Sequence, residues 1–142
     1  MKFWNHLFLD GEFSPRERLL SGLTLEQVTR CPPGASHSIF EELWHATSWQ
    51  RIVVERDEVG AEDYPSRAPE SEQAWQELVQ AFLNGAAKAV AVAQSPDQLG
   101  VETEPGVTMA DALCSLAVHN AYHLGKIVAL RQMMGAWPPK PA

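Results

Sequence analysis

The chain reads as an all-α protein, a bundle of four helices, and three observations predict it. Apolar residues recur every three or four positions through three long segments, each opened by a Ser or Thr of capping type. No segment alternates polar and apolar residues over the length of a strand. The connections are modest in length and carry Gly and Pro. Helices that each own one apolar stripe bury those stripes against one another, which makes a bundle. A chain of 142 residues is expected to form one domain over residues 1–142.

The first segment carries the stripe Phe3, Leu7 and Phe8 and is expected to break near Asp10-Gly11. Ser14-Pro15-Arg16-Glu17 predicts a restart with Ser as N-cap, Pro at the first helical position and Glu closing a capping box, running to about Ser21. Thr24-Leu25-Glu26-Gln27 repeats the signature and predicts one further short turn, which Cys31-Pro32-Pro33-Gly34 stops. A long helix opens at Ser38-Ile39-Phe40-Glu41, with Ile39, Leu43, Ala46, Trp49 and Val53 on its apolar face, and runs to about Asp57.

Residues 58–70 hold Gly60, Pro65, Pro69 and mostly acidic side chains, the composition of an exposed loop. The next helix spans Ser71 to about Ala93 on the stripe Trp75, Leu78, Val79, Phe82, Ala86 and Val90. Gly85 inside it is unfavourable by about 1 kcal/mol relative to Ala, and permits close helix contact there. Ser95-Pro96 ends that helix, and a polar connection reaches Gly106. The last helix opens with the capping box Thr108-Met109-Ala110-Asp111. It carries Leu113, Leu116, Asn120, His123, Ile127, Leu130 and Met134, and stops at Gly135 ahead of Pro138-Pro139.

Charge and composition exclude several function classes. A net charge of −7 with no basic run gives phosphate nothing to bind, so neither nucleic acid nor an anionic membrane surface is expected as a partner. Asp10 and Glu12 interrupt the N-terminal apolar run before a signal-peptide core forms, and no stretch reaches membrane-spanning length. Cys31 and Cys114 have no metal-ligand spacing and read as reduced thiols, Cys114 as a small buried one. The expected location is the cytoplasm.

The chemistry lies in Ala117-Val118-His119-Asn120-Ala121-Tyr122-His123. Residues four apart share a helix face, so His119 and His123 can grip one ion, with His45 on another helix as a third imidazole. Three protein ligands leave a position open, as catalytic rather than structural metals require. A pair at this spacing arises by chance in about one such chain in six, so its weight comes from His123 standing in the core stripe. Two imidazoles in a bundle interior need partners, and a shared metal or ordinary hydrogen bonds meet that need equally well.

Asn120 stands where a zincin has its Glu, and Leu116 stands where a di-iron bundle needs one, so neither of those chemistries applies. A mononuclear site rich in nitrogen suits zinc, nickel, iron or copper. Glu42, one turn before His45, can orient it or act as a base, though a solvated face is the expectation. Structural roles are expected of His6 and His37, and the five Trp residues suit core or pocket wall.

Ser38-Ile39-Phe40-Glu41-Glu42-Leu43-Trp44-His45-Ala46 with Trp49 resembles the second-helix motif of the DinB-like superfamily. His119-Asn120-Ala121-Tyr122-His123-Leu124-Gly125, followed by Ile127, Leu130-Arg131-Gln132, Gly135 and Pro138-Pro139, resembles its fourth helix and tail. Lys126 stands where members often carry Gln. The resemblance implies a four-helix bundle with a crossed connection, a divalent metal on His45, His119 and His123, and a homodimer. It further implies a small-molecule substrate and either a metal-dependent transferase using a low-molecular-weight thiol or, second, a hydrolase. A metal- or ligand-binding bundle without turnover is the alternative, and a structural dimer with hydrogen-bonded histidines the third reading.

Overall fold

The computed structural model describes residues 2–141, and three long helices dominate it: α4 (Ile39–Glu55), α5 (Glu72–Ala93) and α7 (Met109–Met133). Ahead of them stand α1 (Phe3–Asn5), which continues as a π-helical turn over His6–Asp10, then α2 (Arg16–Leu19) and α3 (Leu25–Thr29). A short α6 (Pro96–Leu99) and an antiparallel pair, β1 (Glu102–Glu104) and β2 (Val107–Thr108), lie between α5 and α7.

The caps explain where the helices begin. Thr24, Ser38 and Thr108 each accept a hydrogen bond from the backbone three residues on, and Gln27, Glu41 and Asp111 close the box in return. Ser71 caps α5 through the Ala74 N–H alone. The restart at Ser14 differs from expectation. Pro15 keeps an extended ψ of 142° and itself stands at the N-cap, while the Ser14 hydroxyl donates to the Pro15 carbonyl, so no capping box forms there. Gly11, at φ +66°, terminates the π-helical turn in a conformation that side chains disfavour.

The strand pair was not expected. Its strands are three and two residues long, below the length at which alternation can be read. Gly106, at φ +80°, sits in the turn that folds β2 back on β1.

Helix α4 packs against both α5 and α7 and so forms the centre of the molecule. The apolar core falls into two clusters. One gathers Leu43, Ala46, Trp75, Phe82, Leu124 and Ile127 with residues of α2 and α3; the other gathers Phe8, Ala86, Val90, Leu113 and Leu116. Between them runs a polar layer. Buried Gln50 donates to the Phe82 carbonyl at 2.8 Å and accepts from Asn120 Nδ2 at 3.0 Å, joining all three long helices. Gly85 makes room for it, since a Cβ there would lie 2.3 Å from Gln50 Nε2. The close contact expected at this glycine is therefore a side chain crossing the α5 backbone.

Arg131 is also buried. Its guanidinium donates to the carbonyls of Leu19 and Ser21 at 2.7 Å each and to that of Ala136 at 3.0 Å, tying the N-terminal segments to the end of α7. Burial lowers its pKa from the ordinary value.

Candidate metal centre

His45 lies midway along α4, and His119 and His123 lie one turn apart on α7, the helix that α4 packs against. Their ring centroids are 4.5–5.1 Å apart, and one nitrogen from each falls within 4.8 Å of the others. His45 and His123 are buried, while His119 is half-buried, at the open end of the group.

Neighbouring groups set which nitrogen each ring offers. His45 Nδ1 is 2.7 Å from the Asp63 backbone carbonyl. A carbonyl only accepts, so Nδ1 carries the proton and Nε2 keeps its lone pair. His123 Nδ1 donates to Glu42 Oε2 at 2.5 Å, which leaves His123 Nε2 as its free donor atom. This is the outer support that metal-bound imidazoles use. Glu42 belongs in this role, not on a solvated face. It is 2% exposed, against the solvated face expected, and it holds His123 on the neighbouring helix, not His45 on its own. Its position in α4 carried the signal, since residues 39, 42 and 46 fall on one helical face.

Burial pushes the Glu42 carboxyl up, but the His123 hydrogen bond and the nearby Lys126, His123 and His37 outweigh it and hold the carboxyl below its usual range. Glu42 Oε1 lies 3.7 Å from both Lys126 Nζ and His37 Nδ1, and Lys126 also sits 4.6 Å over the Tyr122 ring. Lys126 thus has structural partners in Glu42 and Tyr122.

His119 differs from the other two. Its Nδ1 is buried without a hydrogen-bond partner among the described residues, and its Nε2 faces His45 Nε2 at 3.2 Å. Desolvation, with smaller contributions from His123 and His45, lowers its pKa from 6.5 to about 4. Two imidazole nitrogens at this distance need a proton or a cation between them. Nitrogens bound at 2.0–2.1 Å to one tetrahedral ion stand about 3.3 Å apart, so the His45–His119 pair already has the spacing of a shared ligand edge. The donor set fits a divalent transition metal of borderline softness.

The loop expected to be merely exposed covers this group. Asp63 supplies the carbonyl to His45, and the Tyr64 ring lies between His37 and His45, stacked at 3.6 and 4.6 Å from their centroids. Burial and the Glu42 carboxylate raise the Tyr64 pKa. No pattern in residues 58–70 announced these contacts. His37 takes the structural part expected of it through this stack, and His6 pairs with Glu12 at 3.4 Å. Cys114 is exposed, contrary to the buried thiol expected, because it falls beside rather than on the stripe of α7; Cys31 is exposed as well. Trp75 is core, and Trp49 walls a cavity that opens beside His45 and His119.

No helix among the described residues is long and apolar enough to cross a membrane. No curated protein and no solved structure matches the chain. A family model does, over residues 16–127, a span that includes all three histidines, Glu42 and the covering loop. The chain belongs to the DinB superfamily.

Proposed function

We propose that the protein binds one divalent metal ion through His45, His119 and His123 and uses it in catalysis, with transfer of a low-molecular-weight thiol to a small electrophile as the leading reaction and hydrolysis second. One observation carries the reading: Asp63 and Glu42 hold the Nδ1 protons of His45 and His123, leaving Nε2 of each ring free to serve as a ligand. Zinc, nickel or iron suits the set.

A divalent ion with an open position lowers the pKa of a thiol or a water molecule that reaches it. The chain's own residues do the rest. The three imidazoles supply neutral donors, and His119 stays neutral well below pH 6.5. Glu42 and the Asp63 carbonyl keep two of the rings from turning, and Tyr64 shields His45 from solvent. Glu42 is engaged by His123 and Lys126, so it is not free to take a proton from water. A thiolate needs no such base once formed, which favours thiol transfer over hydrolysis. A metal-binding bundle without turnover is the second reading, favoured by the same lack of a free base.

The proposed setting is a single domain over residues 1–142, a four-helix bundle with a crossed connection, acting as a cytoplasmic homodimer. The deciding experiment is metal analysis of untagged protein, followed by consumption of chlorodinitrobenzene or maleylpyruvate with and without small thiols in wild type and His123→Ala. Thiol-dependent turnover lost in the variant is expected. Tight metal binding in an intact fold without turnover would favour the binding-module reading instead.

A further inference from the structure

Residues 56–70 cross from α4 to α5, and within them only Tyr64, Pro65 and Pro69 are even half-buried. The first part of the crossing is not packed down on the helix, since Asp57, Val59 and Glu62 line a cavity of about 190 Å³ together with Trp44, Ser48 and Ile52 of α4. Among the described residues, the hydrogen bond from His45 to the Asp63 carbonyl is the one that ties residues 59–70 to another segment. The contacts of Tyr64 are close by comparison. Its ring lies flat between two others, 3.6 Å from the His37 centroid at an interplanar angle of 5° and 4.6 Å from that of His45 at 10°. Both outer rings hang on the same helix: His37 directly precedes the Ser38 cap of α4, and His45 lies about two turns further on. His37 Nδ1 also faces Glu42 Oε1 at 3.7 Å.

We propose that Tyr64 is a positioning residue of the metal centre: clamped between His37 and His45, it latches residues 56–70 over the site and keeps the Asp63 carbonyl on His45 Nδ1. The latch stands without a metal, and its effect on the site rests on the proposed function. A segment with so few buried contacts opens readily on its own, so one inserted ring decides how long it stays closed. Tyr64 directly follows Asp63, and withdrawing the ring therefore withdraws the carbonyl. His45 then loses the acceptor that holds its Nδ1 proton. Its ring can turn or change tautomer, and the Nε2 lone pair is no longer held ready for an ion. Linkage makes the effect mutual: closure that favours metal binding is favoured by bound metal in equal measure. Stacking needs the flat ring and not the phenol hydroxyl. His37, which is no ligand, serves as the fixed jaw of the clamp.

Arg67 is exposed within the segment and gives trypsin a site that reports opening. When closing outpaces cleavage, the rate of cutting there follows the open population. In metal-free protein, Tyr64→Leu should be cut after Arg67 roughly tenfold faster than wild type, whereas Tyr64→Phe, which keeps the ring, should match wild type. His37→Ala should fall between the two. Zinc titrated into the same proteins should bind about tenfold more weakly to Tyr64→Leu and undiminished to Tyr64→Phe. Zinc should also slow cutting of wild type, but not of His119→Ala, which lacks a ligand and keeps the latch. Circular dichroism confirms equal helix content in every variant compared. Cleavage of metal-free Tyr64→Leu at the wild-type rate would overturn the latch, and wild-type zinc affinity in that variant would overturn the positioning role. Failure of wild type to bind zinc sinks the proposed function instead, and the metal-free cleavage rates still decide the latch.

Discussion

The Glu42 carboxylate accepts a hydrogen bond from His123 Nδ1 at 2.5 Å, inside the protein and across 81 residues of chain. Neither residue is free to turn without leaving the other unpaired, because both are buried. The pair therefore fixes the ring of the most deeply buried histidine of the three. Replacing Glu42 with Leu should lower metal affinity about 10- to 100-fold, the usual effect of removing an outer partner of a ligating imidazole. Glu42→Gln, which keeps an acceptor oxygen, should lose less. Competition against a chromogenic chelator, with circular dichroism as the fold control, measures both; equal affinity in Glu42→Leu and wild type would remove the carboxylate from the site.

The five histidines should separate into two classes. His45→Ala, His119→Ala and His123→Ala should each sharply reduce metal content, since two remaining imidazoles make a weak site. His6→Ala and His37→Ala should retain it, because His6 pairs with Glu12 and His37 stacks on Tyr64. Elemental analysis of the five purified variants reads the pattern directly, and full occupancy in His45→Ala would contradict the cross-helix part of the site.

His119 makes the metal-free protein sensitive to acid in a defined window. Its pKa is about 4 when folded and 6.5 in the ordinary state, so between these values the unfolded chain binds the extra proton. Stability therefore rises with pH from about 4 to 6.5, is fully present above 6.5, and is lost as pH falls towards 4. Urea titrations of metal-free wild type and His119→Gln at several pH values check this. The slope through the window should be shallower in the variant, and an identical slope would show that His119 does not carry the effect.

Gly85→Ala tests the polar layer. Helix propensity alone predicts a gain of about 1 kcal/mol. The added Cβ would fall 2.3 Å from Gln50 Nε2 and displace a side chain bonded to both Phe82 and Asn120. A buried polar group left without its partner is unfavourable by about 1–3 kcal/mol, and two such contacts are at stake. The variant should be destabilised by about 1–3 kcal/mol in chemical denaturation; a stabilised variant would mean that Gln50 relocates freely.

A cap acts within four residues, which made most helix starts legible, although Ser95, read only as the end of α5, also caps α6 through the Gln98 N–H. Thr24, Ser38, Ser71 and Thr108 all stand where their motifs predicted. At Ser14 the same signature misled, because Pro15 remained extended and the box had no geometry in which to close. The three histidines were legible too. Helical spacing puts His119 and His123 on one face, and the DinB resemblance joined His45 to them.

The tertiary fold decided everything that depends on residues distant in sequence. Capping and periodicity are local, set by backbone hydrogen bonds and side chains three or four positions apart, so the chain alone determined them. Which face of α4 met α7 determined that Glu42 would be buried and hold His123. The path of residues 58–70 determined that a carbonyl and a tyrosine ring would close over His45. The strand pair placed Glu104 and Val107 in the wall of the cavity beside His45 and His119. Burial and pairing of these groups follow from packing between separate segments, and no local pattern encodes which segments meet.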